Sequence, residues 1–238
     1  MHPIAIILLI ACSHQASIEH DFTATSEYSV RRIQGFEVRI EPEVLEHADQ
    51  ATEAIREITK QIKAMCRDLP DDKVELLRKV TIWLDYDTNK TGVAVFHPNR
   101  QWLVDNGRNP DKAGCVEISC VRNFIRASRR TQPCVVMHEM AHAFHHHYLS
   151  FSNAEIRDVF RQTKLSKLYD NIEYVHRDGR PAYALTNHKE YFAETTEAYF
   201  GRNDFYPYNR RDLLQHDRVS FALMQRMWER PAPERKPK

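Results

Sequence analysis

The chain has 238 residues, 42% of them hydrophobic, and its 34 Lys+Arg nearly balance 33 Asp+Glu. So even a balance leaves no basic footprint for nucleic acid, and that class of partner is set aside. No internal repeat and no Gly/Ser-rich linker divides the sequence, so residues 20–229 are taken as one domain.

The first sixteen residues, MHPIAIILLIACSHQA, stand apart. Their apolar run, residues 4–11, is far shorter than the ~20 residues a membrane span needs and has the length of a signal-peptide core. Leu9-Ile10-Ala11-Cys12-Ser13 resembles a bacterial lipobox, although His2 stands where Lys or Arg is expected. Residues 1–16 are therefore expected to export the chain, to a secreted or periplasmic fate or to the cell envelope. The membrane enters only through a lipid anchor on Cys12.

Residues 28–40, YSVRRIQGFEVRI, alternate and predict extended chain. Pro42 then opens a helical pattern to about residue 67, with Val44, Leu45, Ala48, Ala51, Ile55, Ile58, Ile62 and Met65 at helical spacing. VTIWLDY (80–86) and GVAVF (92–96) predict strands joined by a turn at 87–90. QWLVDNG predicts a short helix stopped by Gly107, and GCVEIS (114–119) a further strand. Helices are expected at about 120–128, 132–149 and 153–165. A hairpin over 172–185 is expected to turn at Asp178-Gly179. A helix over 188–201 ends at Gly201, and one or two helices close the domain. RPAPERKPK is too polar to bury itself, so 230–238 is expected to be a disordered tail. Strands early and helices late give an α+β class.

Apart from Cys12, the cysteines are Cys66, Cys115, Cys120 and Cys134, with no CxxC spacing. In an exported chain they allow two disulfides with three connectivities; they also suit four small buried side chains.

The chemistry concentrates in HEMAH, residues 138–142. On a helix, His138 and His142 lie on one face and can share an ion, with Glu139 beside them to take a proton from water. Zinc suits such donors. The flanking VVM and AF make this helix apolar, and buried imidazoles and a carboxylate need partners there. The third ligand does not follow the HExxHxxGxxH pattern, because His145 holds the Gly position and Tyr148 the last His position. His146 lies about 12 Å along the axis from His138, too far to join it on one ion. His145, His146 and His147 are read as a polar helix end near the substrate. The downstream stretch NHKEYFAETTEAYF carries Glu190, Glu194 and Glu197 on one helical face. Glu190 is assigned to the metal. Glu194, one turn on, is assigned to a ligand imidazole, whose tautomer it would fix.

HEMAHAFHHHY followed by AYALTNHKEYFAETTEAYF resembles the gluzincins, and more narrowly the metallopeptidase domain of anthrax-lethal-factor-like proteins. There the second helix reads E-x-F-A-E, matched here by Glu190, Phe192, Ala193 and Glu194. The family also has a tyrosine seven residues before the ligand glutamate. Tyr183 stands at that spacing, and the resemblance implies that it stabilises an oxyanion. The resemblance covers residues 131–201 and says little of 20–90. It implies a zincin-like domain, a Zn2+ cofactor, a peptide or protein substrate, and an edge strand above the metal for that peptide. GCVEIS would supply the edge, through Val116, Glu117, Ile118 and Ser119. His97 and Trp102 precede that strand; core packing is expected for Trp102. A zincin-fold module without activity, a zinc hydrolase of a non-peptide amide or ester, and an unrelated helical protein with a chance HExxH are the alternatives.

Overall fold

A computed structural model of the chain describes residues 22–86, 92–175 and 177–231. The expectations for the leader, for Cys12, for the turn at 87–90 and for residues 232–238 lie outside these. The alternating stretch at 28–40 is a hairpin. Its strands β1 (Ser29–Ile33) and β2 (Phe36–Ile40) pair antiparallel across Gln34 and Gly35, both at positive φ. Phe36, Val38 and Ile40 are buried, as alternate residues of a strand covered on one face must be.

The helical pattern after Pro42 divides at His47 into α1 (Pro42–Glu46) and α2 (Ala48–Asp68). A helix that the sequence reading omits, α3 (Asp71–Leu77), follows; among its apolar residues Val74 and Leu77 are buried. β3 (Ile82–Leu84), β4 (Val95–Phe96), α4 (Arg100–Asp105) and β5 (Val116–Ile118) come next. The sheet order is β1-β2-β3-β5-β4, with β3 parallel to β2 and to β5, and β4 antiparallel to β5. This corrects the edge-strand expectation: the strand of Val116, Glu117 and Ile118 lies inside the sheet, and β4 is its edge. Glu117 makes the segment look half-exposed in sequence, yet it is buried and held by Lys112 at 3.1 Å and by His97.

The second half is mostly helical: α5 (Val121–Arg130), α6 (Val135–Phe144), α7 (Ala154–Ser166), α8 (His188–Phe200), α9 (Arg210–His216) and α10 (Arg218–Met224). Between α7 and α8 lies a hairpin of β6 (Ile172–Tyr174) and β7 (Arg177–Arg180). Its strands part at Val175 (φ 48°), and Gly179 sits within β7, not at the turn. The class is α+β with a small mixed sheet. One apolar cluster joins the sheet to the helices, from Ile40, Ile58 and Leu84 to Phe144, Phe192 and Trp228. Trp228 stacks on Phe144 at 4.3 Å and on Phe192 at 5.9 Å. Truncating a buried aromatic of this kind costs about 3–5 kcal/mol.

Arg230, placed by composition at the start of the tail, is tied in: its carbonyl accepts from the buried Lys73 Nζ at 2.6 Å. Cys66, Cys115, Cys120 and Cys134 are unpaired; Cys120 is buried, as the reading of small buried side chains expects, while the other three are only partly buried. No described helix is long and apolar enough to cross a membrane.

Candidate metal centre

Both helices of the site have fixed ends. Gln61 of α2 accepts from Val136 N at 3.0 Å, satisfying one of the free N–H groups at the start of α6, while its amide donates to Ser128 Oγ at 2.9 Å. Asn187 caps α8, accepting from Lys189 N and Glu190 N at 2.9 and 3.1 Å. At the other end α8 stops at Gly201, where a Cβ would lie 2.7 Å from Cys134 Sγ, just ahead of α6. Glycine there lets the end of one helix meet the start of the other. The glutamate face of α8 is thereby held against the histidine face of α6.

His138 and His142 lie one turn apart, their ring centroids 4.8 Å from each other. Each Nε2 is 3.2 Å from the same oxygen, Glu190 Oε2. On the other side of the His138 ring, Nδ1 donates to Glu197 Oε1 at 2.6 Å. A neutral imidazole with its proton on Nδ1 presents a lone pair at Nε2. Without a metal, a proton on Nε2 lets the ring donate to Glu190; with that proton removed, the same lone pair is free to ligate a cation. Donors about 2.0–2.2 Å from a tetrahedral zinc are separated by about 3.3 Å, close to what is seen. The donor atoms of His138, His142 and Glu190 all lie within 4.8 Å of one another, so the three residues could hold such an ion.

Glu194 is not the partner of the imidazole, which corrects its assigned role. Its nearer oxygen is 3.6 Å from His138 Nδ1, its other oxygen is buried with no partner, and Glu197 holds the ring instead. Residues four and seven positions beyond Glu190 share one helix face. Which of them meets the ring depends on how α8 crosses α6, and that is set by packing.

The charges agree with a cation. Burial opposes a proton on His138, but Glu190 and Glu197 outweigh it and carry its pKa well above the ordinary value. Burial would raise Glu190, yet the two imidazoles hold it well below the usual carboxylate range. Glu194 is raised by burial and then by Glu197. Asp204 is pushed up to about 7 by burial and again by Glu197. Among the described residues no Lys or Arg pairs with any of these four carboxylates. The raised values of His138, Glu194 and Asp204 mean that protons offset part of this charge, a role that a divalent cation could also fill.

The site opens into a cleft of about 760 Å³, lined by His138, Glu139, His142, Glu190 and Tyr183 and, along one wall, by residues 93–96. Glu139 is buried beside the two histidines. Tyr183 belongs to a short 3-10 turn, residues 183–185, with its ring 6.5 Å from that of His138 and 48% of its surface exposed. Two cations that sequence reasoning missed line the cleft: Arg180, 3.5 Å over the Tyr174 ring, and Lys189, 5.1 Å over Phe151. No periodicity marks them, since the fold brings them together from β7 and α8.

The histidine run departs from a polar helix end. Residues 145–149 form a π-helical turn continuing α6. His145 is fully buried, its ring 5.0 Å from Phe151 and 4.9 Å from Phe192, with no partner for either nitrogen. Burial, then the neighbouring His188 and His142, lower its pKa to about 3. His147 Nε2 donates to Gly114 O at 2.9 Å. Trp102 also departs from expectation: it is 46% exposed on α4, while His97 is buried.

Comparison with family models, with characterised proteins and with solved structures finds no match to this chain.

Proposed function

We propose that the chain is a zinc metallopeptidase of the gluzincin type on a zincin-like domain, resembling the lethal-factor-like enzymes. The observation that carries this reading is the convergence of His138 Nε2 and His142 Nε2 on Glu190 Oε2, with Glu139 in the same cleft. When bound by these three residues, zinc supplies a Lewis acid that lowers the pKa of water at this point toward ~7 and polarises a carbonyl.

The side chains do the rest. Glu139 takes a proton from the attacking water and returns it to the leaving amine. Tyr183, whose pKa is raised by burial and by Glu190, stays protonated and donates to the oxyanion. Glu197 keeps the His138 proton on Nδ1, leaving Nε2 free to ligate.

A peptide substrate is favoured over another amide or ester by the edge of β4, which pairs on one side only among the described residues. Val93 O and His97 N bond inward to Ser119 N and Cys115 O at 3.2 and 3.0 Å. The intervening backbone of Ala94 and Phe96 therefore faces outward, open to an added strand, in the wall of the metal cleft. The test is hydrolysis of an unfolded protein by the zinc-loaded chain. Activity that a chelator abolishes and added zinc restores supports the reading; hydrolysis indifferent to the chelator defeats it.

A further inference from the structure

A second groove, about 670 Å³, lies against the same strand as the metal cleft. The two share Ala94, Val95, Phe96 and Pro98 in their walls. They occupy opposite faces of β4, as the side chains show. Phe96 turns toward the end of the histidine helix, its ring 5.4 Å from His146 and 6.4 Å from Phe151. His97 turns the other way, bonding Glu117 and stacking 6.2 Å from Trp102.

Successive side chains of a strand point to opposite faces. A strand added to the outside of β4 continues that alternation. Where one of its residues faces the metal cleft, the next faces the groove. The groove is walled by Val95, Phe96 and Pro98 on the strand side and by Trp102 of α4, with the Arg108 guanidinium 5.4 Å over the indole ring. Its lining is chiefly apolar, and the indole, though flanked by Arg108 and His97, is 46% exposed and leaves aromatic surface for a substrate ring to meet.

Resting on the peptidase reading, we infer that the Trp102 groove is a specificity pocket, taking a bulky aromatic side chain of the substrate next in sequence to one facing the metal cleft. Trp102 is then a residue that selects substrate from the side of the sheet opposite the metal.

The test has two arms. Of the three tryptophans, Trp83 and Trp228 are buried, so quenching of fluorescence by acrylamide reports chiefly on Trp102. In the first arm, zinc-loaded Glu139→Gln is given peptides that differ by Ala or Phe at one position at a time. Phe at one of two adjacent positions should shield Trp102 from the quencher, and Phe at the other should not. In the second arm the wild type and Trp102→Ala are compared by kcat/KM on the same peptides, with circular dichroism as a check on folding. The preference of the wild type for Phe over Ala at the shielding position should fall roughly tenfold or more in the variant. Cleavage with no shielding of Trp102 by any peptide overturns the groove and leaves the peptidase standing. Shielding without cleavage keeps the groove as a peptide site and defeats the peptidase. Neither shielding nor cleavage defeats both.

Discussion

Glu197 Oε1 sits 2.6 Å from Nδ1 of His138, while Nε2 of the same ring lies 3.2 Å from Glu190 Oε2. One helix thus holds both sides of a single imidazole. Glu197→Ala should therefore weaken zinc by about 10–100-fold, as loss of a carboxylate behind a ligand histidine does. Glu194→Gln should weaken it less. Competition against a chromophoric chelator measures both; a larger loss at Glu194 would reverse the assignment.

Removing Tyr183's hydroxyl should leave the fold and the metal in place, because the residue is about half exposed and bonds to none of the three ligands. Tyr183→Phe is expected to lower kcat by about 10²–10³, the usual cost of one oxyanion donor. A KM effect with unchanged kcat would make Tyr183 a binding residue instead.

Arg180 and Lys189 should favour acidic side chains in the substrate, since each is a cation in the cleft with an aromatic ring beneath it. Arg180→Glu is expected to lower kcat/KM for acidic peptides and raise it for basic ones. Equal changes for both would mean that the charge does not select.

His145 gives a stability test. In the folded protein its pKa is lowered to about 3 by burial and by neighbouring histidines, against about 6.5 when unfolded. The unfolded chain therefore binds the extra proton as pH falls below about 6.5, and stability is lost progressively toward about pH 3. Denaturant unfolding of the zinc-free protein should show a shallower pH slope in His145→Phe over this window. An identical slope would mean that His145 titrates normally. The same substitution removes two unpartnered buried nitrogens, so it should not destabilise the protein at neutral pH.

The parts of this site legible in sequence are those that local spacing controls. A four-residue interval puts His138 and His142 on one helical face, and the same geometry gathers Glu190, Glu194 and Glu197 on another. Spacing could not choose between Glu194 and Glu197, because that choice depends on where α8 meets α6, at Gly201 and Cys134. Sheet order was equally out of reach. Strands of two and three residues carry too little pattern to tell an edge from an interior, and Glu117 looks exposed until its ion partners Lys112 and His97 are known. His145 and Trp102 fail in opposite senses, a polar residue buried and an apolar one exposed. The His145 ring turns into the core beside Phe192, whereas Trp102 lies on the open face of a six-residue helix.

The central claim is most directly tested by exposing a mixed peptide library to the wild type and to Glu139→Gln at equal zinc content. The account predicts that both proteins bind zinc, that only the wild type cleaves, and that a chelator stops it. Zinc-loaded wild type that cleaves nothing, or a Glu139→Gln variant that cleaves as well as the wild type, would contradict it.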